Sequence, residues 1–110
     1  MDKSFAFAVR IVRLYKLLCS RNGFVLSRQL LRSGTSVGAM LKESEHAQSK
    51  SDFINKLSIA LKEANEAEYW ILLLHETEYI SGIEYRSIVK DCQEIVRLLI
   101  AIIKTSKQNI

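Results

Sequence analysis
Four basic residues, Arg86, Lys90, Arg97 and Lys104, fall within about 40° of one another on a helical wheel, with Gln93 between them. A one-sided row of cations suits contact with the phosphate backbone of RNA or DNA. Asp91 and Glu94 lie off the row. No aromatic residue interleaves it, so base stacking of the kind used by single-strand binders is not indicated. Arg10 and Arg13 are secondary candidates on the first predicted helix. The plain alternative is a solvated face. In a symmetric oligomer the row repeats in every subunit and its field adds.

Other chemistry-bearing residues do not converge. His46 is expected on an exposed helix face between glutamates. His75 falls on a core phase near a helix end, where a lone histidine packs or caps. Glu68 also falls near a core phase, and Lys16 is its candidate partner because a buried carboxylate needs one. Glu43 and His46 make one E-x-x-H pair, and a di-iron bundle needs two. Cys19 and Cys92 lie far apart on predicted apolar faces, as small buried hydrophobes do, and give no zinc signature. The sequence therefore predicts no catalytic residues, no metal and no cofactor.

The chain has 110 residues, which suits one domain spanning 1–110. It is 48% hydrophobic and 25% charged, a globular composition. Proline is absent and glycine occurs only four times, so helix breakers are scarce. The formal charge of +4 permits nucleic-acid binding without demanding it. No apolar run approaches the roughly 20 residues that cross a bilayer, so no membrane partner is expected. Arg10, Arg13 and Lys16 interrupt the apolar pattern near the start, unlike a signal peptide. The expected location is the cytoplasm.

Helical periodicity predicts an all-α, up-down-up-down antiparallel four-helix bundle, with helices near residues 3–20, 28–48, 52–79 and 82–105. In the first helix Phe5, Ala8, Val9, Val12, Tyr15 and Cys19 form the expected seam. Phe7, Ile11, Leu14 and Leu18 extend it round one flank, and Arg10 and Arg13 lie opposite. Gly23 is the expected stop, with Phe24 and Val25 folding back on the last turn. Ser27 is the expected cap of the second helix, Ser49 or Ser51 that of the third, and Ser81 that of the fourth. Ser81 and Glu84 form a capping box, with Ile80 and Tyr85 as a hydrophobic staple. The second helix turns Leu30, Val37, Met40 and Leu41 inward. Gly34 and Gly38 lie four apart and predict a close helix approach. The fourth helix has the seam Tyr85, Ile88, Cys92, Ile95, Leu99 and Ile102, and a frayed polar tail after Thr105.

The third helix carries apolar residues on two sides. Phe53, Leu57, Ala60, Ala64, Ala67, Ile71 and Leu74 share one face. Ile59, Trp70 and Leu73 lie roughly opposite, with Tyr69 at the margin and Glu63 and Glu66 among them. A bundle buries one face of each helix, so the second face predicts a homo-oligomer. Ser36 and Ala39, small and outward on the second helix, suit the same contact. Arg32, Glu43, Glu63 and Glu66 are candidates to pair across that boundary.

The run from Leu26 to Leu74 resembles a bacterial family of four-helix bundle proteins first noticed as reading frames within intervening sequences of 23S ribosomal RNA genes. The matching positions are Arg32, Ser33, Ser36, Val37, Ala39, Glu43, Ser49, Asp52, Phe53, Ala60, Glu63, Glu66, Tyr69 and Trp70. Met40 departs from the pattern, standing where the family usually has asparagine. The accessory variability protein of diversity-generating retroelements is a relative of this architecture. The resemblance implies a ring-like homopentamer and no catalytic residues. The retroelement relative binds nucleic acid and a reverse transcriptase, so the resemblance also implies RNA, DNA or a protein as partner. The competing expectation is a structural or adaptor bundle that binds only protein.

Overall fold
The computed structural model describes residues 2–21 and 24–108. Four helices follow one another: α1 Asp2–Ser20, α2 Phe24–Ser44, α3 Lys50–Glu76 and α4 Gly82–Gln108. No strand occurs among the described residues, and no helix is long and apolar enough to cross a membrane.

Contacts between neighbours run in opposite directions along every pair, which makes the bundle up-down-up-down. On α1 and α2, Ile11 faces Gly34 while Ser4 faces Gly38. On α2 and α3, Arg32 meets Glu63 and Glu66 while Glu43 meets Lys56. On α3 and α4, Ala64 meets Cys92 while His75 meets Tyr85. On α1 and α4, Lys3 meets Glu94 while Arg21 meets Glu84. The result is a rod of 47 × 20 × 20 Å.

α3 is the central helix, and its buried face is the expected seam with two changes: Phe53 is only half-buried, and Glu63, expected on the opposite side, is buried. Leu57, Ala60, Ala64, Ala67, Ile71 and Leu74 are all buried. Its three alanines carry little side-chain bulk, so both neighbours approach closely. The Cys92 thiol donates to the Ala64 carbonyl at 3.3 Å across one of these contacts. Gly34 gives the same closeness between α2 and α1, since a Cβ there would lie 2.8 Å from Cγ1 of Ile11. The expected close approach at the glycines is what the fold contains.

The helix ends follow local hydrogen-bonding chemistry. Ser49, in extended conformation, caps α3 by accepting from the Asp52 N–H at 3.0 Å. The Asp52 carboxylate accepts in return from the Gln48 N–H at 3.2 Å, which selects Ser49 over Ser51. At α4 the capping box closes both ways: Ser81 N–H donates to Glu84 at 2.7 Å and Glu84 N–H donates to Ser81 Oγ at 3.1 Å. α3 ends at Glu76, three residues before the expected Tyr79, in a Schellman turn. Tyr79 N–H donates to the Leu74 carbonyl at 2.9 Å and Glu78 N–H to that of His75 at 3.0 Å. Glu78 takes the left-handed conformation, φ 68°, that this turn requires.

Several expectations need correction. α2 begins at Phe24, so Ser27 lies buried inside its first turn and does not cap it. α2 stops at Ser44 and not near Gln48, because carbonyls of its last turn are taken by the N–H groups of Glu45, His46 and Ala47. α4 stays helical to Gln108. Its seam drifts at the end, with Ile103 buried and Ile102 42% exposed, as a straight helix drifts against a seven-residue repeat. The largest correction is α1. Phe7, Ile11 and Leu18 are buried, while Phe5 is 71% and Val12 38% exposed. The contact of Ile11 with Gly34 turns the expected flank inward and leaves Phe5 and Val12 of the expected seam outward, with Ala8, Val9, Tyr15 and Cys19 half-buried. Val25 is 75% exposed. Gly23 lies outside the described residues, as does the Phe24 side chain.

Candidate functional site
The basic row stands on the solvent side of α4. Arg86, Lys90, Arg97 and Lys104 are all exposed. None of the four forms an ion pair with a described residue. The row is nearly parallel to the helix axis, and 18 residues at 1.5 Å each span about 27 Å. Gln93 lies between the cations and donates to the Glu68 carboxylate at 2.9 Å. That bond replaces the expected Lys16–Glu68 pair; Lys16 is exposed on α1, which does not pack on α3.

Arg10 and Arg13 differ from each other. Arg10 reaches α4, where it pairs with Asp91 at 2.5 Å and donates to Ser87 Oγ at 2.8 Å and to the Ser87 carbonyl at 3.2 Å. Its charge is therefore largely matched inside the α1–α4 contact. Arg13 is exposed and has no ion pair with a described residue.

The α2–α3 face holds the remaining candidates. Arg32 donates to Glu63 and to Glu66, each at 3.0 Å, within one chain. Glu63 is buried and Arg32 is half-exposed, so the guanidinium covers a carboxylate that would otherwise lie unpaired. Glu43 pairs with Lys56 at 3.5 Å. Ser36 is half-buried and donates to the Arg32 carbonyl at 2.6 Å, and Ala39 is exposed. Trp70 is half-buried, packed on the edge of the core with its ring edge against Tyr69. Its indole N–H is enclosed and finds no partner among the described residues. Leu73 is half-buried, while Ile59 is 36% and Tyr69 59% exposed. The outward apolar surface of α3 thus belongs more to Tyr69, Ile59 and Leu72 than to Trp70. Phe5 and Val12 add a second outward patch on α1; their place in an apparent core seam hid it in the sequence.

The groups capable of reaction are quiet. Burial, reinforced by the charges of Glu68 and Asp91, pushes the Cys92 thiol up to about 12, so no thiolate nucleophile forms at neutral pH. His75 stacks on Tyr85 with ring centres 4.4 Å apart. The Arg21 guanidinium and the Ser81 N–H hold the Glu84 carboxyl below its ordinary value, which is the electrostatics of a capping pair. Among the described residues no group of three or more His, Cys, Asp or Glu side chains is placed to hold a metal ion.

This geometry defines an antiparallel four-helix bundle with an exposed cationic row, outward apolar patches and no converging reactive groups among its described residues. Residues 1–101 match the family of the 23S rRNA-intervening sequence protein, and the chain belongs to that family. A similar solved structure is a protein of unknown function from the S23 ribosomal protein family of Bacteroides thetaiotaomicron. It is 62% identical over 94% of this chain and 96% of that one, with a TM-score of 0.92. No curated protein matches the chain.

Proposed function
We propose that this protein is a non-enzymatic, homo-oligomeric binding protein of the cytoplasm that holds RNA or DNA by its phosphates. Arg86, Lys90, Arg97 and Lys104 are the main contacts and Arg13 a secondary one, with Arg10 contributing less because Asp91 opposes it. The observation that carries this reading is the exposed row on α4, which has no ion pair with a carboxylate among the described residues. Outward apolar patches on α1 and α3 support self-association, because two different patches can meet head to tail and close a ring. The pentamer comes from the family resemblance.

A gel shift over a salt series tests the binding. Four phosphate contacts on a duplex give a slope of log K against log salt of about −3.6. Changing the four row residues to glutamine should weaken binding and flatten that slope. Absence of binding by the wild type at low salt would reject nucleic acid and leave a bundle that binds only protein. Light scattering tests assembly: a monomer mass at micromolar concentration would defeat it. Tyr69→Ser and Trp70→Ala should lower the mass more than they lower helicity.

A further inference from the structure
α1 and α4 part on one side of the Arg10–Asp91 bridge, and a groove of about 410 Å³ opens between them. Its α1 wall includes Arg13, Leu14 and Leu17; its α4 wall includes Ile83, Ser87 and Ile88. Ile88 is buried in the floor, while Leu17 is 40% and Ile83 75% exposed at the lips. Isolated exposed aliphatics are ordinary. These two face one another across a concavity that already reaches the core.

The α4 wall also carries the Glu84 carboxylate, and the unmatched charge around the groove is positive. Asp91 matches Arg10, and Arg21 matches Glu84. Arg13 stays unmatched among the described residues. On α4, Lys90 lies about 20° from Ile83 round the helix and two turns along it, and Arg86 stands one turn from Ile83. Arg13 lines the groove beside the aliphatic lips, and Lys90 and Arg86 stand on the adjoining surface of α4. The complementary surface is an apolar ridge flanked by carboxylates.

Both walls are helices, with side chains repeating every three or four residues, so the space between them fits the ridge of another helix. An extended segment would set backbone N–H and C=O groups against aliphatic lips that cannot bond them. We propose that the α1–α4 groove docks a short acidic amphipathic helix of a protein partner. This goes beyond the nucleic-acid reading. The two sites share cations, Arg10 and Arg13 in the groove lining and Arg86 and Lys90 beside it, but phosphate contacts make no use of Leu17 or Ile83.

The test uses a labelled synthetic helix of about 18 residues, with leucine every third or fourth position and glutamate on both flanks. Its control carries lysine for every glutamate. The acidic peptide should bind at least tenfold more tightly than the basic one, a difference of about 1.4 kcal/mol. Amide shift changes in NMR spectra should centre on Leu17 and Ile83. The double variant Leu17→Ser, Ile83→Ser changes exposed positions and should keep the helical circular dichroism spectrum. It should weaken the acidic peptide by tenfold or more and leave the gel shift with RNA and DNA unaltered. Equal binding of the two peptides would overturn the proposal. So would no binding of the acidic one at about 100 μM, or shift changes on the α2–α3 face. A protein that binds the peptide but no nucleic acid would uphold the groove and reject the row.

Discussion
The two sides of this bundle differ in what lies beneath their ion pairs. α2 and α3 pack closely, with the alanine face of α3 buried, and Arg32 with Glu63 and Glu66 and Glu43 with Lys56 add ion pairs to that packing. α1 and α4 meet through long charged side chains, Lys3 to Glu94, Arg10 to Asp91 and Arg21 to Glu84, each pair at least partly in solvent. Close packing gives strength that salt does not touch. Exposed ion pairs contribute roughly 0–1 kcal/mol each and weaken as salt rises. The α1–α4 side is therefore the part of the fold that can admit something else.

The largest expected effect lies at the tight side. Ile71→Ala removes a fully buried side chain of α3 and should cost about 2–5 kcal/mol in urea unfolding. A loss near that of an exposed ion pair would erase the contrast between the two sides.

Gly34→Ala asks how α1 is held. The added methyl would meet the buried, branched Ile11. Overpacking costs about 1–3 kcal/mol, and the better helix propensity of alanine returns up to about 1. A net loss of about 1–2 kcal/mol would place the mooring of α1 on α2. Stabilisation would mean that Ile11 moves aside freely.

Replacing Lys3, Arg10 and Arg21 together by glutamine should cost only about 1 kcal/mol at low salt, and nearly nothing at about 1 M salt. Persistence of the loss at high salt would show that the α1–α4 contact is packed and not merely charged.

The smallest effect is a pH dependence. Glu84 is held below its ordinary carboxyl value of 4.5, first by Arg21 and then by the Ser81 N–H. The unfolded chain therefore takes up this proton at a higher pH than the native one. Its contribution is complete well above 4.5 and disappears as pH falls through the depressed value. The stability difference between wild type and Glu84→Gln should be constant near neutrality and vanish in acid. A difference that grows in acid would have the wrong sign.

Much of this could be read from residues alone, and the exceptions have causes. The α3 seam was legible because Leu57, Ala60, Ala64, Ala67, Ile71 and Leu74 keep one helical phase without a charge among them. The α4 start was legible because Ser81 and Glu84 satisfy each other over three residues. The rotation of α1 was not, since apolar residues cover most of its circumference and Phe5–Val12 competes evenly with Phe7–Ile11. Only the meeting of Ile11 with Gly34, a contact between distant residues, decides between them. Ser27 misled because a serine in the first turn of a helix looks like one just before it. The row on α4 was legible as a row, but Arg10 did not announce that Asp91 neutralises it. The groove was invisible, because it depends on where α1 and α4 diverge.

The burial of Cys92 makes the fold its own clock. The thiol is enclosed, bonded to Ala64 and protonated at neutral pH, so a disulfide reagent can reach it only when α4 lifts from α3. With Cys19 changed to serine, the rate of its labelling counts those openings. Comparing that rate with global unfolding would show whether the second half of the bundle breathes separately or opens only when the whole chain does.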